Sequence, residues 1–180
     1  MATKTDNLDA HERAAKTLYP ADPGEMYGYD IAQAVITRRG DELYTHTGLD
    51  EAARKALGDT HIAIRRATGL PEGIREAIAE AHVDALLADT RAVSDTEADA
   101  DETTVAKRIA DGNAEVREDF IARYGKKDGP ALLDRTAAFV RSHPALATIL
   151  QQRGLGSRPD IVKGIAAHVF STGWRPPSKG

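Results

Sequence analysis

Residues 116–169 read VREDFIARYGKKDGPALLDRTAAFVRSHPALATILQQRGLGSRPDIVKGIAAHV, and the spacing within them decides the fold. Apolar residues recur every three or four positions inside short runs, the pattern of amphipathic helices. Between the runs stand Gly125, His143-Pro144 and Gly154-Leu155-Gly156, residue types that stop or redirect a helix. The first run carries Val116, Phe120 and Ile121 and closes at Tyr124-Gly125. Pro130 sits in the first turn of the next, which holds Leu132, Leu133, Ala137, Phe139 and Val140. Pro144 opens a helix with Leu146, Ile149 and Leu150, and Arg158-Pro159 opens the last, with Ile161, Val162, Ile165, Ala166, Val169 and Phe170.

Upstream of this stretch, Thr103 or Thr104 can cap a helix holding Val105 and Ile109, and Gly112-Asn113 is expected to interrupt it. Before that, five of the eight residues from Asp95 to Glu102 are acidic and none is a large apolar residue, the composition of a solvated linker. The expected organisation is a helical N-terminal region over 1–91, an acidic linker over 92–102 and a C-terminal helical module over 103–180 with a Pro-rich tail.

In the N-terminal region, Leu49, Ala53, Leu57 and Ile64 predict a helix that stops at Gly69, with a kink expected at Gly58. Leu70-Pro71 opens a second helix with Ile74, Ala77, Ile78, Ala81, Ala85 and Leu86 on one face, and the two should form a helical hairpin. Asp30 is expected to cap a helix over Ile31–Arg39, with Gly40 just past its end. The following DELYTHTG, residues 41–48, reads as an extended connector or loop. Asp6 is a plausible cap for a first short helix with Leu8, Ala14, Ala15 and Leu18, ended by Tyr19-Pro20, whose thin apolar face suits either a frayed terminus or an arm that packs on a neighbour. Residues 21–28 form a loop, with Met26, Tyr27 and Tyr29 as anchors.

Composition bounds the function. A chain of 180 residues can bury about 70% of its unfolded surface and needs no staple. With no cysteine there is no disulfide framework, thiolate metal site or cysteine nucleophile. Aromatics are only 5%, which suits close-packed helices better than a sandwich core. The fold class expected is all-α, a bundle of short helices. A net charge of −4 argues against a nucleic-acid binder working by phosphate neutralisation. The first twenty residues lack an apolar run after their charges, so no secretory signal is expected, and no window reaches the length and apolarity of a membrane span.

No catalytic, cofactor or metal motif is present in the chain. The six histidines (His11, His46, His61, His82, His143 and His168) do not stand at metal-ligand spacings, and Glu80 and His82, two apart, face different sides of a helix. Gly154-Leu155-Gly156-Ser157 lacks the strand and second glycine of a nucleophile elbow and satisfies no phosphate-loop pattern. The chain is therefore read as non-enzymatic, without a cofactor or metal.

The C-terminal portion resembles a region of tailed-bacteriophage head-morphogenesis proteins, especially capsid scaffolding or assembly proteins and related virion structural proteins. The resemblance is carried over about 55 residues by RYG at Arg123-Tyr124-Gly125, LLDRTAAFV, PALATILQQRGLG and RPDIVKGIAAHV. Scaffolding proteins are usually longer, with a more extended charged helical N-terminal region, whereas this chain has a punctuated N-terminal half and a Trp174-Arg175-Pro176-Pro177 tail. The resemblance implies a virion or procapsid component, present in the host cytoplasm during assembly, that acts as scaffold, cement or connector. It implies contact with the major capsid protein or other head proteins, and self-association; the charge and the lack of a long apolar run add the expectation of no nucleic-acid and no membrane partner. A helical adaptor binding a non-capsid protein is the alternative. Phe139, Leu146, Ile149, Leu150, Ile161, Val162 and Ile165 are nominated as core or partner-binding residues, and Trp174 with the tail as a docking element.

Overall fold

The computed structural model describes residues 30–94 and 98–176, and among them are seven α-helices and no strand. The all-α expectation holds. No helix among the described residues is long and apolar enough to cross a membrane. The short helix and loop expected before Asp30 lie outside the described residues.

Helix α1 (Ile31–Arg38) starts where expected, with Asp30 Oδ1 accepting the Ala32 N–H at 2.9 Å. Its buried residues are Ala32, Val35 and Ile36. The connector expected over 41–48 is instead a helix, α2 (Gly40–Thr47). Tertiary packing explains the difference. Leu43 is fully buried against α1 and the fourth helix, and Gly48, at φ 70°, closes the last turn in the left-handed conformation that glycine adopts without strain. Gly40 is thus the first residue of α2, not the end of α1.

Helix α3 (Glu51–Thr68) is capped by Asp50 and ends at Gly69, φ 62°. It runs unbroken through Gly58, which lies against the Gln33 side chain of α1. Helix α4 (Glu72–Ser94) follows. Helix α5 (Ala98–Arg141) takes in the end of the expected acidic linker and is broken at Gly125 (φ 86°, ψ 166°), so it consists of two limbs. Gly112-Asn113, expected to interrupt it, lies inside the first limb. A Cβ at Gly112 would stand 2.2 Å from the Ser157 carbonyl oxygen, so glycine serves there for close packing. Helix α6 (Pro144–Gln151), a 3-10 segment (Gln152–Ser157) and α7 (Pro159–Ser171) complete the fold.

Helix α4 holds the architecture together because it carries two adjacent apolar stripes. Ala79, Val83 and Leu87 pack with α1 and α2 into a smaller core. Ile78, Ala81 and Ala85 join Ile64, Val116, Phe120, Leu146, Ile161 and Ile165, among others, in a larger core shared by α3 to α7. The larger core therefore draws residues from both sides of residues 92–102. The α3–α4 hairpin is present, in contact through His61 and His82, and α1 packs across both helices.

Candidate interaction site on the C-terminal helices

The break at Gly125 turns the second limb of α5 back so that Leu132, Thr136 and Phe139 face the bundle, all buried. Pro144, with its ring-fixed φ, begins α6 and directs Leu146, Ile149 and Leu150 inward. Arg153 (φ 42°) and Gly154 (φ 71°) reverse the chain through left-handed backbone, so α7 returns with Ile161, Ile165 and Val169 buried. Six of the nominated residues (Phe139, Leu146, Ile149, Leu150, Ile161 and Ile165) are thus members of the larger core, and Val162 is half-buried against it.

Phe139 is the hub of the C-terminal end. The Trp174 ring stands edge-on to it, centroids 5.2 Å apart at 88°, and the rings of His143 and His168 lie 4.5 and 5.7 Å away. His143 Nδ1 donates to the Phe139 carbonyl at 2.8 Å, and His168 Nε2 to the Thr68 carbonyl at 3.1 Å, tying α7 to the end of α3. Trp174 is half-buried by this contact, Arg175 and Pro176 are exposed, and the rest of the tail lies outside the described residues. Phe170 differs from its expected place on the apolar stripe. It is rotated off the Ile161–Ile165–Val169 line and is 61% exposed, with the Tyr124 ring beside it at 6.2 Å.

Between the second limb of α5, α6 and α7 lies an open cleft of about 430 Å³. Val116, Leu150, Ile161 and Ile165 make its apolar base, Val140 and Val162 stand on its walls, and Asp134, Arg141 and Gln151 mark polar positions on its lining. Four nominated residues, Leu150, Ile161, Val162 and Ile165, meet here. A second cleft, between α4, α5 and the 3-10 segment, is lined by Arg108, Arg153 and Arg158. These cations already serve internal contacts. Arg153 pairs with Asp89 at 3.0 Å, Arg108 donates to the Arg153 carbonyl at 3.1 Å, and Arg158 grips Asp160 with two hydrogen bonds of 3.2 and 2.7 Å. The Arg158 bond holds the Asp160 carboxyl below its usual range.

Two buried polar clusters escaped the sequence reading. Asp30 Oδ2 meets Arg75 Nη1 at 2.6 Å and Arg65 Nη1 at 3.4 Å, and Arg75 Nε donates to the Leu70 carbonyl at 3.0 Å. The same carboxylate that caps α1 therefore fixes it to the α3–α4 turn. His61 and His82 are both buried, with Nε2 and Nδ1 3.1 Å apart. Burial, reinforced by His82, lowers His61 to about 4, and burial also lowers His82. The Gln152 side chain lies near enough to His82 to favour its charged form, although its buried Oε1 reaches no partner at hydrogen-bond geometry. The available sequence signal was position: His61 precedes Ile64 by three and His82 follows Ile78 by four, so each falls on an apolar stripe. Among the described residues no group of three or more His, Asp or Glu side chains could hold a metal ion.

Compared with protein-family models, curated proteins and solved structures, the chain matches none of them.

Proposed function

We propose that this protein is a structural component of a tailed-phage particle or its precursor, working without catalysis through contacts with the major capsid protein or other head proteins. The observation that carries the reading is the C-terminal end of α7, where Phe170 is 61% exposed beside Tyr124. A large aromatic outside the core, flanked by a second ring, is the kind of anchor around which protein interfaces concentrate their binding energy. Support also comes from the sequence resemblance, whose RYG and RPDIVKGIAAHV elements lie beside each other at this end of the fold. The described residues form a core of their own, which suits a folded cement or connector better than an extended scaffold.

Mass spectrometry of mature particles and empty precursors from the source phage or induced prophage tests the reading. Presence in mature particles at a fixed ratio to the main shell protein is expected. Presence in precursors alone would replace the cement or connector by a transient scaffold, and absence from both would remove the virion assignment in favour of an adaptor.

A further inference from the structure

We propose that Phe170 and Tyr124, together with the cationic corner formed by Arg123, Lys126 and Lys127, dock an acidic segment of a partner protein that carries an apolar side chain among its carboxylates. The inference rests on the reading of this end of α7 as a contact surface and adds the chemistry of what is contacted. Phe170 is 61% exposed, and half-buried Tyr124 stands between it and the core, its ring centroid 6.2 Å from that of Phe170 and 5.6 Å from that of Phe120. An aromatic placed in this way gives a partner's apolar side chain a rigid surface to cover.

Charge identifies the rest of the partner. The chain carries a net −4, yet no Asp or Glu occurs from Ile161 to Gly180, and residues 123–128 hold three cations against one anion, Asp128. Arg123, Lys126 and Lys127 are exposed and lie within three residues of Tyr124. Arg123 stands 3.9 Å from Asp119, and Lys126 and Lys127 make no ion pair among the described residues. Helix stability does not account for the two lysines. The break at Gly125 puts them in the first turn of the second limb of α5, the end at which the helix dipole favours acids and disfavours cations. Exposed cations beside an uncovered aromatic are the elements by which acidic motifs are held. A nucleic-acid strand fits less well, because Glu118 and Asp119 on the first limb and Asp128 on the second border the corner and repel a charge carried on every nucleotide.

The probe is a short fluorescein-labelled peptide of Asp and Glu around a central Leu-Phe pair, titrated with the full chain and read by fluorescence anisotropy. The double variant Lys126→Glu, Lys127→Glu places acids where the dipole favours them, so it should keep the thermal midpoint while weakening the peptide about tenfold. Phe170→Ser should weaken the same peptide. Binding that neither variant reduces would overturn the proposal, as would equal binding of a peptide with Lys in place of Asp and Glu. Tighter binding of labelled oligo-dT would overturn it in favour of single-stranded nucleic acid. The particle test is independent: a chain present in mature particles that does not bind the acidic peptide keeps its proposed function and loses this inference.

Discussion

His61 Nε2 and His82 Nδ1 face each other at 3.1 Å inside the bundle, one from α3 and one from α4. The contact requires one ring to donate and the other to accept, so the two rings cannot both be protonated while it is made. Burial lowers both groups, His61 to about 4, while Asp30 and Gln152 act in the opposite direction on His61 and His82 respectively. In the unfolded chain each titrates near 6.5, so between about pH 6.5 and 4 the unfolded state binds more protons. Stability is thus fully present above about pH 7 and falls as the pH drops through this window. Urea unfolding should give a free energy roughly 3 kcal/mol lower at pH 4 than at pH 7.5 from His61 alone. His61→Phe should flatten that slope, and an unchanged slope would sink the assignment.

The Asp30 carboxylate is buried, accepts the Ala32 N–H and meets Arg75 at 2.6 Å. Asp30→Ala removes cap and charge together and should destabilise by about 3–5 kcal/mol. Asp30→Asn keeps a capping oxygen and should cost less. Thermal unfolding monitored by circular dichroism gives the order, and equal losses would mean the charge contributes nothing beyond the cap.

Gly112 and Gly73 both lie in helices but should respond to alanine with opposite signs. A Cβ at Gly112 meets the Ser157 backbone oxygen at 2.2 Å, whereas one at Gly73 meets nothing within 4 Å. Gly112→Ala should destabilise by about 1–3 kcal/mol, because the backbone of the 3-10 segment must move. Gly73→Ala should stabilise by up to about 1 kcal/mol through helix propensity. Chemical denaturation of the two variants settles the signs.

The two aromatics at the end of α7 should separate stability from association. Trp174, the only tryptophan, stands edge-on to buried Phe139. Phe139→Leu should shift its fluorescence to longer wavelength and lower the unfolding midpoint. Phe170→Ser, at an exposed position, should leave stability within about 0.5 kcal/mol and weaken binding to particles in co-sedimentation. Undiminished binding would exclude Phe170 as the anchor.

Helix ends were legible in the sequence because capping is local chemistry. Asp30, Gly69, Gly125, Pro144 and Pro159 mark ends, starts or the break at the residues themselves, whereas the cap at Asp50 is not singled out. Helix α2 was not legible, since its one buried large side chain, Leu43, earns its place from α1 and α4. Gly112 and Gly58 read as breaks because composition does not reveal what approaches a missing Cβ. For the candidate site, periodicity identified Ile161 and Ile165 as inward-facing but could not place Phe170, one residue beyond Val169 and turned toward Tyr124. The His61–His82 contact joins residues on separate helices, a relation that no spacing rule encodes.

The two stripes of α4 bear on whether this chain can be cut in two. A fragment ending near residue 94 would leave Ile78, Ala81 and Ala85 facing water, and one beginning near residue 98 would lose the surface on which Val116, Phe120 and Ile161 close. The first piece keeps the smaller core but bares its share of the larger one, and the second loses the surface that closes it, so dissection at the acidic stretch should yield fragments that aggregate alone and regain helical structure when mixed. Heritable change in this protein is constrained in the same way: a substitution on α4 is answered from both of its sides at once.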